Sequence, residues 1–385
     1  MKFSFVIPTY NNKILLKNTL EALNYQEGYG REDYEAVVVD DGSSDNTREF
    51  IEGINRNYSL KYIYLDRNAD SCRSRTRNFG WKNASGEFIA FIDSDIVVKS
   101  NYLKELDRCF SIDKDILVTG TRLMLDEKTG FDDIVSKKIF ERFNFDKMKY
   151  HLLEYRHYLY ATASYNAANL LWPWVQVYSC NMAVSKNWLT KVGGFDENFK
   201  EWGVEDLEIG YSLYKSGVKM VINSRQEVLH QYHGPRNDLV IGESKIEGHK
   251  KNIDYFLSKH PEALGLNRRI AYKILKGDLS TSKILTFDMN PNKTQLRIDF
   301  RDKEKLSYVK ELLTFLIQSD EVKISLYDHV EDTDLDIWVQ LLDTTKTIVK
   351  YYPVSKQIDI QGMTDYINEE KERQKNRGKT GGESV

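Results

Sequence analysis

Cysteine is scarce. Cys72, Cys109 and Cys180 are the three in 385 residues, too few and too scattered for a disulfide framework or a Cys-built zinc site. A reducing cytoplasm is the simpler setting. An excess of one charge is also missing: 55 Lys and Arg against 58 Asp and Glu leave −3 at pH 7. That balance argues against a dedicated nucleic-acid binder. No run approaches the roughly 18 apolar residues of a membrane span; the nearest, Ala167 to Val177, is interrupted by Asn169, Pro173 and Gln176. The first residues, Met1 to Pro8, read as a strand and not as a targeting segment. What is present is enough for a sizeable core, with 41% apolar and 29% charged residues, so disorder is excluded for most of the length. The size suits two domains.

The first 100 residues alternate strand and helix signals. Phe3–Pro8 is apolar, and Leu15, Leu16, Leu20 and Leu23 then recur at helical spacing. Glu35–Val39 is a second strand, closed by Asp40-Asp41-Gly42-Ser43-Ser44, after which Asp45 is expected to cap a helix. Lys61–Leu65 and Glu87–Ile92 make a third and a fourth strand. This alternation predicts an α/β fold with a mostly parallel sheet and ligands at the carboxyl ends of its strands. From Phe131 to Tyr178 the pattern turns irregular and aromatic, with Tyr158, Tyr160, Tyr165, Trp172 and Trp174. Core beneath a long insertion is the preferred reading; an acceptor surface or a patch touching lipid head groups is the functional one. A helix is expected from Glu205 to Ser216. Beyond His260-Pro261 the composition shifts. Lys283–Asp288 and Gln295–Phe300 flank Asn290-Pro291-Asn292 as a hairpin, Leu306–Ile317 reads as helix and Val322–Tyr327 as strand. The expected organisation is a catalytic domain over 1–265, a small α+β appendage over 270–367 and a charged tail over 368–385.

Chemistry concentrates where strands end. Phe91-Ile92-Asp93-Ser94-Asp95 places two carboxylates at i and i+2 directly after a buried strand. There both can converge on one hard cation that also takes phosphate oxygens. The bland alternative is a cap and a solvated loop Asp. The pair is accompanied, however, by Ile7-Pro8-Thr9-Tyr10-Asn11, Val39-Asp40-Asp41-Gly42-Ser43 and Arg73-Ser74-Arg75-Thr76-Arg77-Asn78.

Together these motifs, in order and spacing over residues 3–98, resemble the nucleotide-sugar half of a GT-A glycosyltransferase of family 2. The resemblance implies a GT-A fold and a UDP-sugar donor. Tyr10 would stack on uracil, and Asp40 or Asp41 would accept its N3–H. Arg73 or Arg77 would meet the uracil carbonyl and the diphosphate. Asp93 and Asp95 would hold that diphosphate through Mn2+ (or Mg2+), with Asp95 on the metal and Asp93 serving ribose and metal. Pro8, Thr9, Asn11 and Ser94 belong to the same donor set. No Gly-x-Gly-x-x-Gly follows Ile7, which argues against a dinucleotide-binding fold.

A second segment, Val192-Gly193-Gly194-Phe195-Asp196-Glu197 with Glu201-Trp202-Gly203-Val204-Glu205-Asp206, is similar to one shared by chondroitin-polymerase-like enzymes and galactosyltransferases. Polypeptide N-acetylgalactosaminyltransferases carry a related form. Here Val204 stands where a second glycine is usual. Trp202 offers a flat face for sugar C–H groups, or is a partly buried core Trp. Glu205 and Asp206 open a helix, where negative charge is favoured by roughly 0.3–1 kcal/mol each; the resemblance makes Asp206 the base, with Glu205 beside it, and Glu208 structural. Downstream, His230 matches the polymerase-like pattern and His233 the polypeptide-transferase pattern for a metal ligand, with His233 slightly preferred. Imidazole and carboxylate both suit a Mn-type ion. Cys180 lies where related enzymes line the donor sugar, but no partner His marks it as a nucleophile.

The function implied is a metal-dependent, inverting, UDP-sugar-using transfer to an acceptor hydroxyl on a glycan, glycolipid or peptide. The rivals are a retaining polypeptide-type transferase, a nucleotidyltransferase, which Thr9–Leu16 lacks the Gly-rich basic loop for, and a non-catalytic sugar-nucleotide-binding module. The expected setting is cytoplasmic or peripheral at the inner membrane face. The appendage is read as recruiting the acceptor, forming a homo-oligomer or docking a membrane partner.

Overall fold

A computed structural model describes residues 1–143, 150–234, 243–276, 293–319, 322–344, 347–356, 359–366, 368, 369 and 372. The chain begins with β1 (Phe3–Thr9), α1 (Lys13–Leu23), β2 (Tyr34–Asp40), α2 (Thr47–Glu52), β3 (Ser59–Tyr64), α3 (Arg73–Asn83) and β4 (Phe88–Ile92). It continues through β5 (Ile96–Val97), α4 (Tyr102–Ile112), β6 (Ile116–Thr119) and β7 (Arg122–Met124). The short helices α5 (Phe131–Val135), α6 (Lys138–Arg142) and α7 (Tyr155–Thr162) follow. Then come β8 (Asn181–Ser185), α8 (Lys186–Val192), α9 (Glu205–Lys215), β9 (Lys219–Ile222), β10 (Val228–His230), α10 (Glu243–Lys259) and α11 (Arg268–Leu275).

Seven strands form the central sheet in the order β3-β2-β1-β4-β8-β6-β9. All neighbours are parallel except β8, which runs against β4 and β6. Both faces are covered, so β1, β2 and β4 read as continuous apolar runs. Alternate residues serve opposite faces. Val6, Val37, Val39, Ile89 and Phe91 enter one core with Trp81 of α3. Phe3, Phe5, Ala36, Val38, Phe88 and Ala90 enter the other, with Leu16 and Leu20 of α1 and Leu103 and Leu106 of α4. Gly80 lets α3 lie close on β1: a Cβ there would stand 2.2 Å from Val6 Cγ1. A second sheet, β5-β10-β7, sits beside the carboxyl end of β4 and supports the site below.

The carboxyl-terminal unit contains β11 (Thr294–Phe300), α12 (Leu306–Leu316), β12 (Val322–Asp328), α13 (Leu335–Leu341) and β13 (Ile348–Pro353), with its three strands parallel. The α/β architecture with a mostly parallel central sheet and an added carboxyl-terminal sheet is as the sequence predicts; the added unit, expected as α+β, alternates strand and helix with parallel strands and is itself α/β. The two parts share one core, which runs from Trp174 and Phe256 through Ile274 to Leu313, Ile324 and Val349. Gln340 of α13 is buried between them: its Oε1 accepts from the backbone N–H of Ala167 and of Ile222, and its Nε2 donates to Ile222 O. Arg108 of α4 adds a paired contact to Asp336.

Three local readings change. Asn46, in the left-handed conformation at φ +59°, is the residue before α2, not Asp45; Asp45 instead takes the Thr47 hydroxyl and the Lys13 N–H. Gln295–Phe300 lies in a strand, but it pairs in parallel with β12; its expected hairpin partner Lys283–Asp288 lies outside the described residues, as does nearly all of 368–385. The aromatic segment is largely core: Trp174 is fully buried and stacks on Phe256. Among the described residues no helix is long and apolar enough to cross a membrane.

Candidate active site

Parallel pairing aligns Thr9 with Asp40, so the loops after β1 and β2 rise side by side. Asn11, at φ +48°, ties them: its side-chain oxygen accepts from Ser44 N at 2.8 Å while its own N–H donates to Ser43 Oγ. The two adjacent carboxylates then diverge. Asp40 is buried and committed, accepting from Ser43 N at 2.7 Å and from the Tyr62 hydroxyl. Asp41 accepts from Arg67 Nη1 at 2.8 Å through Oδ2, leaving Oδ1 buried without a hydrogen-bond partner among the described residues. Thr9 Oγ1 is similarly unpartnered behind Pro8. Tyr10 is exposed, but Arg67 lies over its ring at 3.9 Å. One ring face is therefore already occupied by a guanidinium, which the expectation of a bare stacking surface did not include. Arg67 has no periodic context in the sequence and was not singled out there. Arg73, at the start of α3, is exposed.

At the end of β4, Ser94 is held from two sides. Asn12 Nδ2 donates to its hydroxyl at 3.0 Å and Thr19 Oγ1 to its carbonyl at 2.9 Å. Asp95 O accepts from Gln231 N at 2.9 Å, and β5 pairs with β10 so that Ile96 faces His230. This register brings both candidate histidines to one carboxylate. Asp95 Oδ2 lies 3.5 Å from His230 Nε2 and 3.5 Å from His233 Nε2, and the three ligand atoms lie within 4.8 Å of one another. Asp95 Oδ1 is buried and unpartnered among the described residues. Burial, the largest influence, holds His230 below its ordinary value, which favours the neutral imidazole that a metal needs. One carboxylate and two imidazoles suit a Mn-type ion. Asp93 is not a member of this cluster; its Oδ1 lies 3.2 Å from Arg77 Nη2.

Arg77 departs most from expectation. Its side chain is enclosed, so it is not placed to meet an incoming diphosphate directly. It serves carboxylates instead: Asp93, Glu205 Oε1 at 3.3 Å and Asp206 Oδ1 at 3.7 Å. Burial first, and the adjacent Asp206 second, push Glu205 up from its ordinary value. Asp206 is partly exposed. Both are presented by the turn before α9, where Val204 takes φ +75°, a left-handed conformation rarely adopted by a β-branched residue. The tightness that a glycine would confer is thus kept with a valine. Asn252 of α10 fastens the turn by donating to Gly203 O at 2.7 Å. Trp202 is exposed and meets His249 edge-on at 5.4 Å. Glu208 is buried against Lys259 and His260, consistent with a structural role.

Residues 4–170 match the family model described as glycosyl transferase family 2, and residues 161–234 match that described as the N-terminal domain of galactosyltransferase. Among curated relatives, the validoxylamine A glucosyltransferase of Streptomyces hygroscopicus subsp. jinggangensis (strain 5008) is 27% identical over 275 residues, 68% of this chain and 61% of that protein. The chondroitin synthase of Escherichia coli is 30% identical over 225 residues, 56% of this chain and 32% of that protein. The chain thus spans less than two thirds of the length of either. Among solved structures, S. aureus TarS 1-349 in complex with UDP-GlcNAc aligns with a TM-score of 0.48 and 18% identity, covering 83% of this chain and 81% of that one.

Proposed function

The chain belongs, over residues 4–170, to glycosyl transferase family 2, and from that premise we propose that it is a metal-dependent, inverting GT-A glycosyltransferase using a UDP-sugar. The acceptor is a hydroxyl on a glycan, glycolipid or peptide. The observation that carries the reading is the convergence of Asp95, His230 and His233 beside a second group of carboxylates gathered on Arg77. An ion held by the first group would supply charge compensation to the departing UDP. The chain's own residues do the rest.

At the nucleotide end, Asp41, whose Oδ1 makes no hydrogen bond among the described residues and faces Arg75 Nη1 at 3.9 Å, is the acceptor for uracil N3–H, and Asp40 holds the loop that presents it. The Tyr10–Arg67 pair offers a flat cationic surface to the base. Asp93, oriented by Arg77, faces the ribose side. Asp206 takes the proton of the attacking hydroxyl as a general base, and Glu205 beside it is held by Arg77 at 3.3 Å. A base on the acceptor side is what a direct displacement requires, and that displacement inverts the anomeric centre. The reading is tested by incubating the protein with a panel of UDP-sugars and Mn2+ and following UDP release. Release from one or a few donors that stops on chelation is expected; no release and no UDP binding with any of them would refute it.

A further inference from the structure

Two arginines behind the metal-binding residues share one carboxylate. Arg122 on β7 donates from Nε to Glu154 Oε2 at 2.9 Å and from its backbone N–H to Oε1 at 2.9 Å. Arg156 donates to the same Oε1 from Nη2 at 2.6 Å and from Nε at 3.0 Å. Among the described residues no other carboxylate lies within ion-pair reach of either guanidinium. The Cys180 thiol, 3.4 Å from Arg122 Nη1, is pushed up to about 12 by burial and brings no negative charge. Two cations meet one anion directly, with Arg156 wholly enclosed; the further negative charge that Arg122 feels is that of Asp93, beyond ion-pair reach, so its positive charge is only partly compensated. Such a charge is costly unless an anion meets it.

The exposed end of this group points to where that anion would come from. β8 pairs with β4 so that Asn181 faces Ile92, which sets Cys180 beside the turn carrying Asp93. β7 pairs with β10 so that Met124 faces His230, and Arg122 lies two positions away on the same side of the strand. Both Asp93 and His230 feel the Arg122 charge. The Arg122 side chain is 19% exposed, whereas that of Arg156 is 0%. Arg122 Nη2 makes no hydrogen bond among the described residues, yet it is not one of the buried nitrogens lacking a partner. It is therefore the end of the pair that solvent, or a ligand, reaches.

Resting on the glycosyltransferase reading above, we propose that Arg122 is an anion-reading residue of the donor pocket. It holds a negatively charged group of the donor beyond the nucleoside, either the β-phosphate or a carboxylate on the transferred sugar. A guanidinium suits either, because its paired N–H groups match two oxygens at once.

The test is calorimetry on the full chain in Mn2+, with UMP, UDP, UDP-glucose and UDP-glucuronic acid, for wild type, R122Q and R122K. R122Q leaves Glu154 and Arg156 as a neutral pair, so its melting temperature should stay near that of wild type; if it does not, R122K, which keeps the charge and loses the fork, is read in its place. If the anion is the sugar carboxylate, wild type binds UDP-glucuronic acid at least tenfold more tightly than UDP-glucose, and the substitution erases that preference while UDP affinity holds. If it is the β-phosphate, the substitution weakens UDP and both sugar nucleotides at least tenfold and leaves UMP unchanged. Unaltered affinity for all four ligands in a folded variant would overturn the proposal. Wild type that binds no UDP at all would instead remove the glycosyltransferase reading on which it rests.

Discussion

Arg77 and Asp93 meet at 3.2 Å with the arginine side chain enclosed and the aspartate one-third exposed, so a buried cation holds a carboxylate at the open end of β4. The same guanidinium reaches Glu205 and Asp206 on α9. It thereby joins the carboxyl end of β4 to the start of α9.

Removing that cation strands carboxylates that cannot all be rehydrated. Arg77→Met should lower stability by about 3–5 kcal/mol, the usual cost of breaking a buried ion pair from one side. Urea denaturation of the two proteins measures it. A loss below about 1 kcal/mol would show that the carboxylates do not need the arginine.

Asp40 and Asp41 should separate stability from binding. Asp40→Ala breaks two interactions of a buried carboxylate and should cost about 1–3 kcal/mol of stability. Asp41→Ala should leave the melting temperature nearly unchanged and weaken UDP binding by about tenfold, the worth of one hydrogen bond to a charged acceptor. The reverse pattern would exchange their roles.

Val204 should show an inverted order of substitutions. Both Val204→Ala and Val204→Gly empty the same buried site, but only glycine takes φ +75° without strain. Val204→Gly should therefore be more stable than Val204→Ala by about 1 kcal/mol. Equal stabilities would mean that the turn relaxes once the valine is gone.

The metal-free protein should lose stability as pH falls from about 6.5, the ordinary histidine value. Burial lowers the His230 value in the fold, so below about 6.5 the unfolded chain binds the proton first. Folding stability then rises with pH through that window and is complete above it. His230→Gln should flatten this part of the curve in pH-dependent melts done in chelator. Mn2+ titrations should in turn show weaker binding for both His230→Ala and His233→Ala; full affinity in either would mark that histidine as a bystander.

Much of this arrangement could be read from the chain because it is local. Apolar runs such as Phe3–Pro8 and Glu87–Ile92 announce strands buried on both faces, and the polar residues closing them fall at the sheet's carboxyl edge. What could not be read depends on register. Sequence spacing poses His230 and His233 as alternatives, whereas the pairing of β10 with β5 and the path after it bring both to Asp95. Arg77 looks like a donor-facing helix residue until the packing of α9 encloses it. Arg67 and Arg122 sit in a loop and a three-residue strand, where neither periodicity nor motif marks them. Gln340, which fastens the carboxyl-terminal unit, is one amide on an ordinary helix until Ile222 and Ala167 are placed opposite it.

The measurement closest to the central claim is the anomeric configuration of the first product. With an α-linked UDP-sugar, Mn2+ and water or a sugar hydroxyl as acceptor, proton NMR early in the reaction should show the β-anomer, and Asp206→Asn should abolish its formation while UDP still binds. An α-anomer appearing first, or an Asp206→Asn protein transferring at near-normal rate, would contradict inversion by Asp206.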